Sequence, residues 1–254
     1  MMLPHINEFD QEHEQALRGL WFLGDVHAEF RHIPRALLEA KELPSHIIFL
    51  GDVDIEHKPF REFVTPFRQH FPSVQVAFIH GNHDADTYDH WENLHDCGDA
   101  IALHGKVTEL NGIRVAGLGG NFLGRVWYPP ETPKLNSQDA AISRGAFQFR
   151  GGQKPSPNYL AAIYPEVVDR LAKQHADILI THEAPSCHHH GFAALDVLAR
   201  DLRVKRSFHG HQHDDRTDEY RLGVVERGFD AVGVGGCAIT NGLGERVLRG
   251  VERW

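Results

Sequence analysis

G-L-W-F-L-G-D-V-H, residues 19–27, is a short apolar run that ends in a carboxylate, Asp25, and an imidazole, His27. It reads as a buried strand whose polar residues begin where the strand stops. The same grammar recurs downstream. A helical stretch around His32 to Glu42 leads to a strand at His46 to Leu50, which ends at Gly51-Asp52. A second helix near Pro59 to His70 precedes a strand at Val74 to Ile79, which ends at Gly81-Asn82-His83-Asp84. Strand–helix–strand–helix–strand alternation of this kind predicts a largely parallel, buried sheet.

Beyond it, Ile101 to Gly117 predicts a hairpin turning at Asn111-Gly112. Residues 119–158 are the least regular part of the chain and carry five of its 13 prolines. A helix near Ile163 to His175 then feeds a strand at Ala176 to Ile180, ending at Thr181-His182. A further helix around Ala193 to Leu202 leads to a strand at Val204 to Phe208 and the segment H-G-H-Q-H. The glycine-rich remainder, Tyr220 to Trp254, suggests antiparallel strands that complete a second sheet. No linker interrupts the pattern. One domain over residues 1–254 is expected, with an irregular insertion or lid at about 119–158.

Composition bounds the class. The 254 residues are 41% hydrophobic, ordinary for a globular protein, but they include 20 histidines, and imidazole is the commonest metal ligand. Net charge is −9, which opposes a broad basic footprint for nucleic acid or an anionic membrane. Cys97, Cys187 and Cys237 are odd in number and far apart, fitting a reducing cytoplasm better than a disulfide framework. The acidic N-terminus is unlike a signal peptide, and no apolar run approaches the roughly 20 residues of a membrane span.

The chemistry lies in where the polar residues fall. Asp25, His27, Asp52, Asn82, His182, His211 and His213 all follow predicted strands, where loops of an open α/β sheet converge on ligands. Asp25/His27 and His211/His213 are spaced i, i+2, which in extended backbone puts both side chains on one face. Mixed oxygen and nitrogen donors suit Mn, Fe, Zn, Ni or Co rather than Ca. Seven candidate ligands exceed one tetrahedral zinc and suit two ions sharing a carboxylate.

In order, D-x-H (Asp25, His27), G-D (Asp52), G-N-H-D (Gly81 to Asp84), a strand-ending His182 and G-H-x-H (Gly210 to His213) resemble the five blocks of the calcineurin-like metallophosphoesterases. The resemblance spans residues 25–213. It implies an α/β fold, a four-layer α/β/β/α sandwich of two mixed sheets flanked by helices. It also implies two divalent metal ions, with Mn favoured among the metals named above. One ion would sit on Asp25, His27, Asp52 and His213, the other on Asp52, Asn82, His182 and His211, with Asp52 bridging. The activity implied is hydrolysis of phosphate mono- or diesters by a metal-bridging hydroxide, with His83 protonating the departing oxygen. The substrate would be a small phosphoester or nucleotide. Two positions depart from relatives. Many carry G-D-x-x-D, whose last Asp orients the catalytic His; here that residue is Ile55, leaving Asp54 or Asp84 to substitute. Protein phosphatases place Arg before G-N-H, where this chain has His80.

Other readings share part of this pattern. A diadenosine-polyphosphate hydrolase or a protein phosphatase-like enzyme would share the blocks, as would a non-catalytic metal-binding scaffold. A nuclease is disfavoured by the acidic charge. His211-x-His213-x-Asp215 starts like the metallo-β-lactamase motif, but Arg216 follows and no later histidine exists. His188-His189-His190 is a solvated loop or a substrate contact. The aromatic and basic side chains of 119–158 (Arg125, Trp127, Tyr128, Lys134, Arg144, Phe147, Phe149, Arg150, Lys154) either form a lid or pack on the core.

Overall fold

The computed structural model describes residues 11–145, 156–214 and 220–250. Among them, eight α-helices and eleven strands are arranged as two sheets. The strands are β1 (Leu20–Leu23), β2 (His46–Leu50), β3 (Gln75–Ile79), β4 (Ile101–Ala102), β5 (Lys106–Leu110), β6 (Ile113–Leu118), β7 (Ile178–Thr181), β8 (Arg206–His209), β9 (Asp230–Gly233), β10 (Ile239–Asn241) and β11 (Arg246–Leu248). The first sheet has the order β11-β10-β1-β2-β3-β4 and the second β5-β6-β7-β8-β9. Strands β1 to β4 pair in parallel, as do β6 to β9, while β5, β10 and β11 run antiparallel to their neighbours.

Side-chain alternation makes the layers. Because strand residues point to opposite faces in turn, Leu20 and Phe22 face one way while Trp21 and Leu23 face the other. Phe22, Ile48, Leu50, Ala77 and Ile79 of the first sheet meet Val115, Ile178, Ile180, Phe208 and Val232 of the second in one buried cluster. Trp21, Leu23, Ile47, Phe49, Val76 and Phe78 turn outward onto α2 (His32–Glu39), α3 (Arg61–His70) and α4 (Tyr88–His95). Ala116, Leu118, Leu179 and Ala231 likewise pack on α6 (Pro165–Leu171) and α7 (Ala193–Asp201). Three apolar layers thus separate four layers of structure, helix, sheet, sheet, helix.

Several details differ from the sequence reading. The hairpin is β5–β6, turning at Asn111 (φ 53°) and Gly112 (φ 78°), the doubly positive φ of a type I′ turn. Ile101 and Ala102 are not part of it. They pair with β3, and the chain crosses between sheets at 103–105, where Leu103 N–H donates to Phe78 and Gly105 N–H to Gly117. The C-terminal strands also split. β9 follows a helical crossover through α8 (Val224–Arg227) and so enters the second sheet in parallel, whereas β10 and β11 complete the first sheet. Four helices have no counterpart in the sequence pattern: α1 (Gln11–Arg18), α4, whose Thr87 side chain caps the His90 amide, α5 (Gln138–Ser143) and α8, which lies where strands were expected.

The sheet-to-sheet layer is closed by Phe22 and Phe208, stacked at 4.0 Å and both fully buried. Phe208→Ala leaves a cavity between sheets that cannot collapse without moving strands. A loss of about 3–5 kcal/mol is expected, measurable as a lowered urea midpoint with unchanged m-value.

Candidate metal centre

The loops after β1, β2, β3, β7 and β8 converge on one place. Asp25 and His27 arrive from the first sheet, with Asp52 and Asn82 from the next two strands; His182, His211 and His213 arrive from the second sheet. Asp25, His27 and His213 offer donor atoms within 4.8 Å of one another, and so do Asp52, His182 and His211. In the first group, His213 Nε2 lies 3.0 Å from Asp25 Oδ2 and 3.3 Å from His27 Nε2. In the second, His182 Nε2 lies 3.4 Å from Asp52 Oδ2 and 3.0 Å from Asn82 Oδ1. The groups adjoin, since His182 Nδ1 is also 3.9 Å from Asp25 Oδ1.

Asp25 and Asp52 are each 1% exposed. Neither oxygen of Asp25 accepts a hydrogen bond. A buried carboxylate in that condition is costly unless a cation meets it. Electrostatics tell the same story. Burial pushes the Asp52 carboxyl up, but the His182 imidazole and the His83 amide outweigh it and hold the group below the usual range. Burial opposes charge on His182, yet Asp52 and Asp25 draw it up to about 10. The acids therefore demand positive charge at their centre, which an imidazolium or a metal ion can supply. Oxygen and imidazole donors in two groups fit two borderline divalent cations. Asn82 Oδ1, beside His182 Nε2, extends the second group; burial and the His182 charge hold His211 down to about 4, keeping its ring a neutral donor.

The remaining sequence candidates fall behind the donors. Asp54 sits between two rings, with Oδ2 3.1 Å from His27 Nδ1 and Oδ1 3.0 Å from His90 Nε2. Its hydrogen bond is the largest influence raising the His27 pKa. Asp84 is wholly buried and accepts the amides of Asp54 (2.7 Å) and Gly81 (2.8 Å), tying the G-D and G-N-H-D loops together. The carboxylate that reaches His83 is a different one. Asp86 Oδ2 lies 2.8 Å from His83 Nδ1. Residues 83–85 form a single 3₁₀ turn, in which i and i+3 side chains eclipse. That short turn after G-N-H is the signal that could have singled out Asp86; nothing in the sequence marks His90.

Comparisons with known proteins give the family and the fold. Residues 19–215 match the family model described as calcineurin-like phosphoesterase. The chain belongs to the calcineurin-like phosphoesterases. It is 32% identical over 219 residues to an uncharacterized protein of Haemophilus influenzae, covering 82% of this chain and 90% of that one. One solved crystal structure superposes with a TM-score of 0.51 at 14% identity, over 87% of this chain and 94% of the other, a likeness of fold. The phosphopantetheinyl hydrolase of Mycobacterium tuberculosis superposes with a TM-score of 0.46 at 15% identity, over 85% and 89%. The family is one of metal-dependent phosphoesterases, and no helix among the described residues is long and apolar enough to cross a membrane.

Within this calcineurin-like site, the glycines of the motifs have a steric reason. A Cβ on Gly81 would lie 2.2 Å from Asp52 Oδ1, and one on Gly210 would lie 2.4 Å from Asp25 Oδ1. The donors themselves carry backbone strain. His27, Asp52, Asp54, His211 and His213 all have φ between 44° and 67°, a region costing of order 1 kcal/mol or more for non-glycine residues.

Of the other singled-out residues, His188 is buried, with Nε2 3.4 Å from Asp214 Oδ2, while His189 and His190 are exposed. In the 119–158 segment, Trp127 packs edge-on against Phe122 and Tyr128 against Phe192, and Val126 and Leu135 enter the outer core. The described part is a packed excursion. Phe147, Phe149, Arg150, Lys154 and Asp215 lie outside the described residues.

Two outcomes are expected. Gly81→Ala should retain the far-ultraviolet spectrum but bind less metal per chain than the parent by plasma emission analysis, because Asp52 must move. Asp25→Asn removes a buried charge without a donor. The metal-free variant should be more stable than the metal-free parent by about 1–3 kcal/mol, and should gain less than the parent from added divalent cation.

Proposed function

We propose that this protein hydrolyses small phosphate mono- or diesters with two divalent cations, Mn favoured, held by its histidines and acids. The observation carrying this is the pairing of two adjacent donor groups, Asp25/His27/His213 and Asp52/His182/His211, around carboxylates almost sealed from water. Asp25, His27 and His213 would hold one ion and Asn82, His182 and His211 the other, with Asp52 shared. When bound, such ions polarise a phosphoryl group and activate water for in-line attack.

The protein's own residues then have distinct tasks. His83 is half-exposed beside the donors, its ring 5.5 Å from that of His27, and hands a proton to the departing oxygen. Asp86 accepts from Nδ1–H, so once the ring is an imidazolium the proton left to give is that on Nε2. Burial opposes charge on His83, but Asp86 and Asp52 outweigh it and raise its pKa, as an acid working near neutrality requires. Asp54 orients His27, and Asp84 sets the spacing of the loops. The protein phosphatase reading loses ground for a physical reason: His80 is 3% exposed and packed against the Trp91 and His104 rings, so it is not placed to clamp a phosphate. The acidic charge supports a small substrate over a nucleic-acid polymer, and three free cysteines support a cytoplasmic setting. Donors drawn from both sheets support one domain acting as a unit.

The test is reconstitution. Chelated protein, given Mn, Ni, Zn or Mg separately, is assayed on nitrophenyl mono- and diesters and nucleotides. Turnover should vanish on chelation and return with at least one ion; metal-independent turnover, or none with any ion, would refute the proposal. His83→Ala should keep its metal and lose about 10²–10⁴-fold in kcat. Asp86→Asn should lose less. Because it removes a partner that raises the His83 pKa, the alkaline limb of its kcat profile should move to lower pH.

A further inference from the structure

A cavity of about 590 Å³ opens beside the metal centre. One wall is the hydrogen-bonded row His27, Asp54 and His90; another is Phe30, Ile55 and Phe63, with Pro59 beside them, and the charged or polar Glu56, His57, Lys58 and Glu62 also line it. Phe30 and Phe63 stack at 4.4 Å with planes 23° apart, giving a rigid apolar surface. Ile55 is 8% exposed and packs in the same apolar cluster. This size falls in the range of small-ligand sites, roughly 300–1,000 Å³.

The polar atoms of the cavity are largely committed. Both Asp54 oxygens are engaged, by His27 and by His90, and His90 Nδ1 is 2.7 Å from Thr87 Oγ1. Lys58 is 74% exposed at the mouth, with its ammonium 3.7 Å from Glu62. Among the described lining residues, the cationic Lys58 and the imidazole of His57 are largely exposed, and each lies beside a glutamate, Glu62 and Glu56. What the walls offer is aromatic and aliphatic carbon, and that selects an uncharged apolar group.

The place of the cavity decides which part of a substrate would enter. His27 forms its wall, and its ring stands edge-on to that of His83 at 5.5 Å. A departing oxygen that takes its proton from His83 therefore projects its substituent along His27 toward this cavity. Resting on the phosphoesterase reading above, we propose that the cavity is the leaving-group pocket. Its substrates are phosphate esters of alcohols that carry an apolar ring. The P–O bond to that alcohol breaks, water supplies the incoming oxygen, and the alcohol departs with the proton from His83.

The experiment compares benzyl phosphate with methyl phosphate on the Mn-loaded enzyme, since the two alcohols are of nearly equal acidity and differ in the ring. Burying the ring should favour benzyl phosphate in kcat/KM by roughly 10- to 100-fold. Binding of benzylphosphonate and methylphosphonate, by calorimetry on the same protein, reads the pocket without turnover. Phe63→Ala, which removes the floor, and Glu62→Trp, which fills the mouth from an exposed helix position, should each shrink both ratios at least fivefold. Equal binding of the two phosphonates, or ratios unmoved in both variants, would overturn the pocket. Tighter benzylphosphonate binding, lost in the variants, with neither ester hydrolysed would uphold the pocket and sink the enzymatic reading instead.

Discussion

Asp25 and Asp52 are carried into the interior at the ends of neighbouring parallel strands, where each is all but cut off from water. Two carboxylates so placed repel one another and have lost hydration worth several kcal/mol per ion. The surroundings answer that deficit with imidazoles. His213 stands on Asp25, His182 stands between both acids, and His27 and His211 close the ring. None of these rings brings a permanent charge. Compensation comes by taking up protons or by gathering metal ions, and the choice between them is the chemical purpose of the site.

Holding the donors requires a scaffold that does not relax. His27 N–H donates to Asp52 O, Ala28 N–H to Val53 O, and His83 N–H to Asp52 Oδ1. Asp84 adds the amides of Asp54 and Gly81. The loops after β1, β2 and β3 are thereby one hydrogen-bonded body, and the strained φ values of His27, Asp52 and Asp54 are imposed by it. The left-handed backbone at His211 and His213 is held from the second sheet. Phe22 against Phe208 and the rest of the inner layer keep the two sheets, and hence the two halves of the donor set, in register.

Much of this was legible in the residues, for a simple reason. Parallel strands buried on both faces are short apolar runs, and their ends are where polar chemistry collects, so His46–Leu50 and the strands around it could be bounded closely. The ordered blocks from Asp25 to His213 carried the family. What escaped was tertiary in origin. Ile101 and Ala102 look like the first half of a hairpin because local alternation cannot tell which sheet a short run will join. The terminal strands divide between sheets because a helical crossover precedes β9 and tight turns follow β10. Asp54 and Asp84 looked equivalent as partners for His83. Their positions are set by left-handed backbone at Asp54 and by full burial of Asp84, neither of which a residue name discloses.

The exchange at residue 55 draws these threads together. The resemblance read from the sequence leads one to expect an aspartate there, steadying the histidine of G-N-H-D. A carboxylate in that position would stand in the wall now made by Ile55, Phe30 and Phe63, and would need a donor or water within it. Here the carboxylate on His83 is that of Asp86, one 3₁₀ turn along the same loop and half-exposed, so the contact is made without burying another acid. Moving the charge from one side of the histidine to the other leaves the flank beside His27 free of polar demands. On the proposed reading, an isoleucine at this position leaves room for an apolar group beside the site, and it lowers the number of buried acids that the imidazoles must balance.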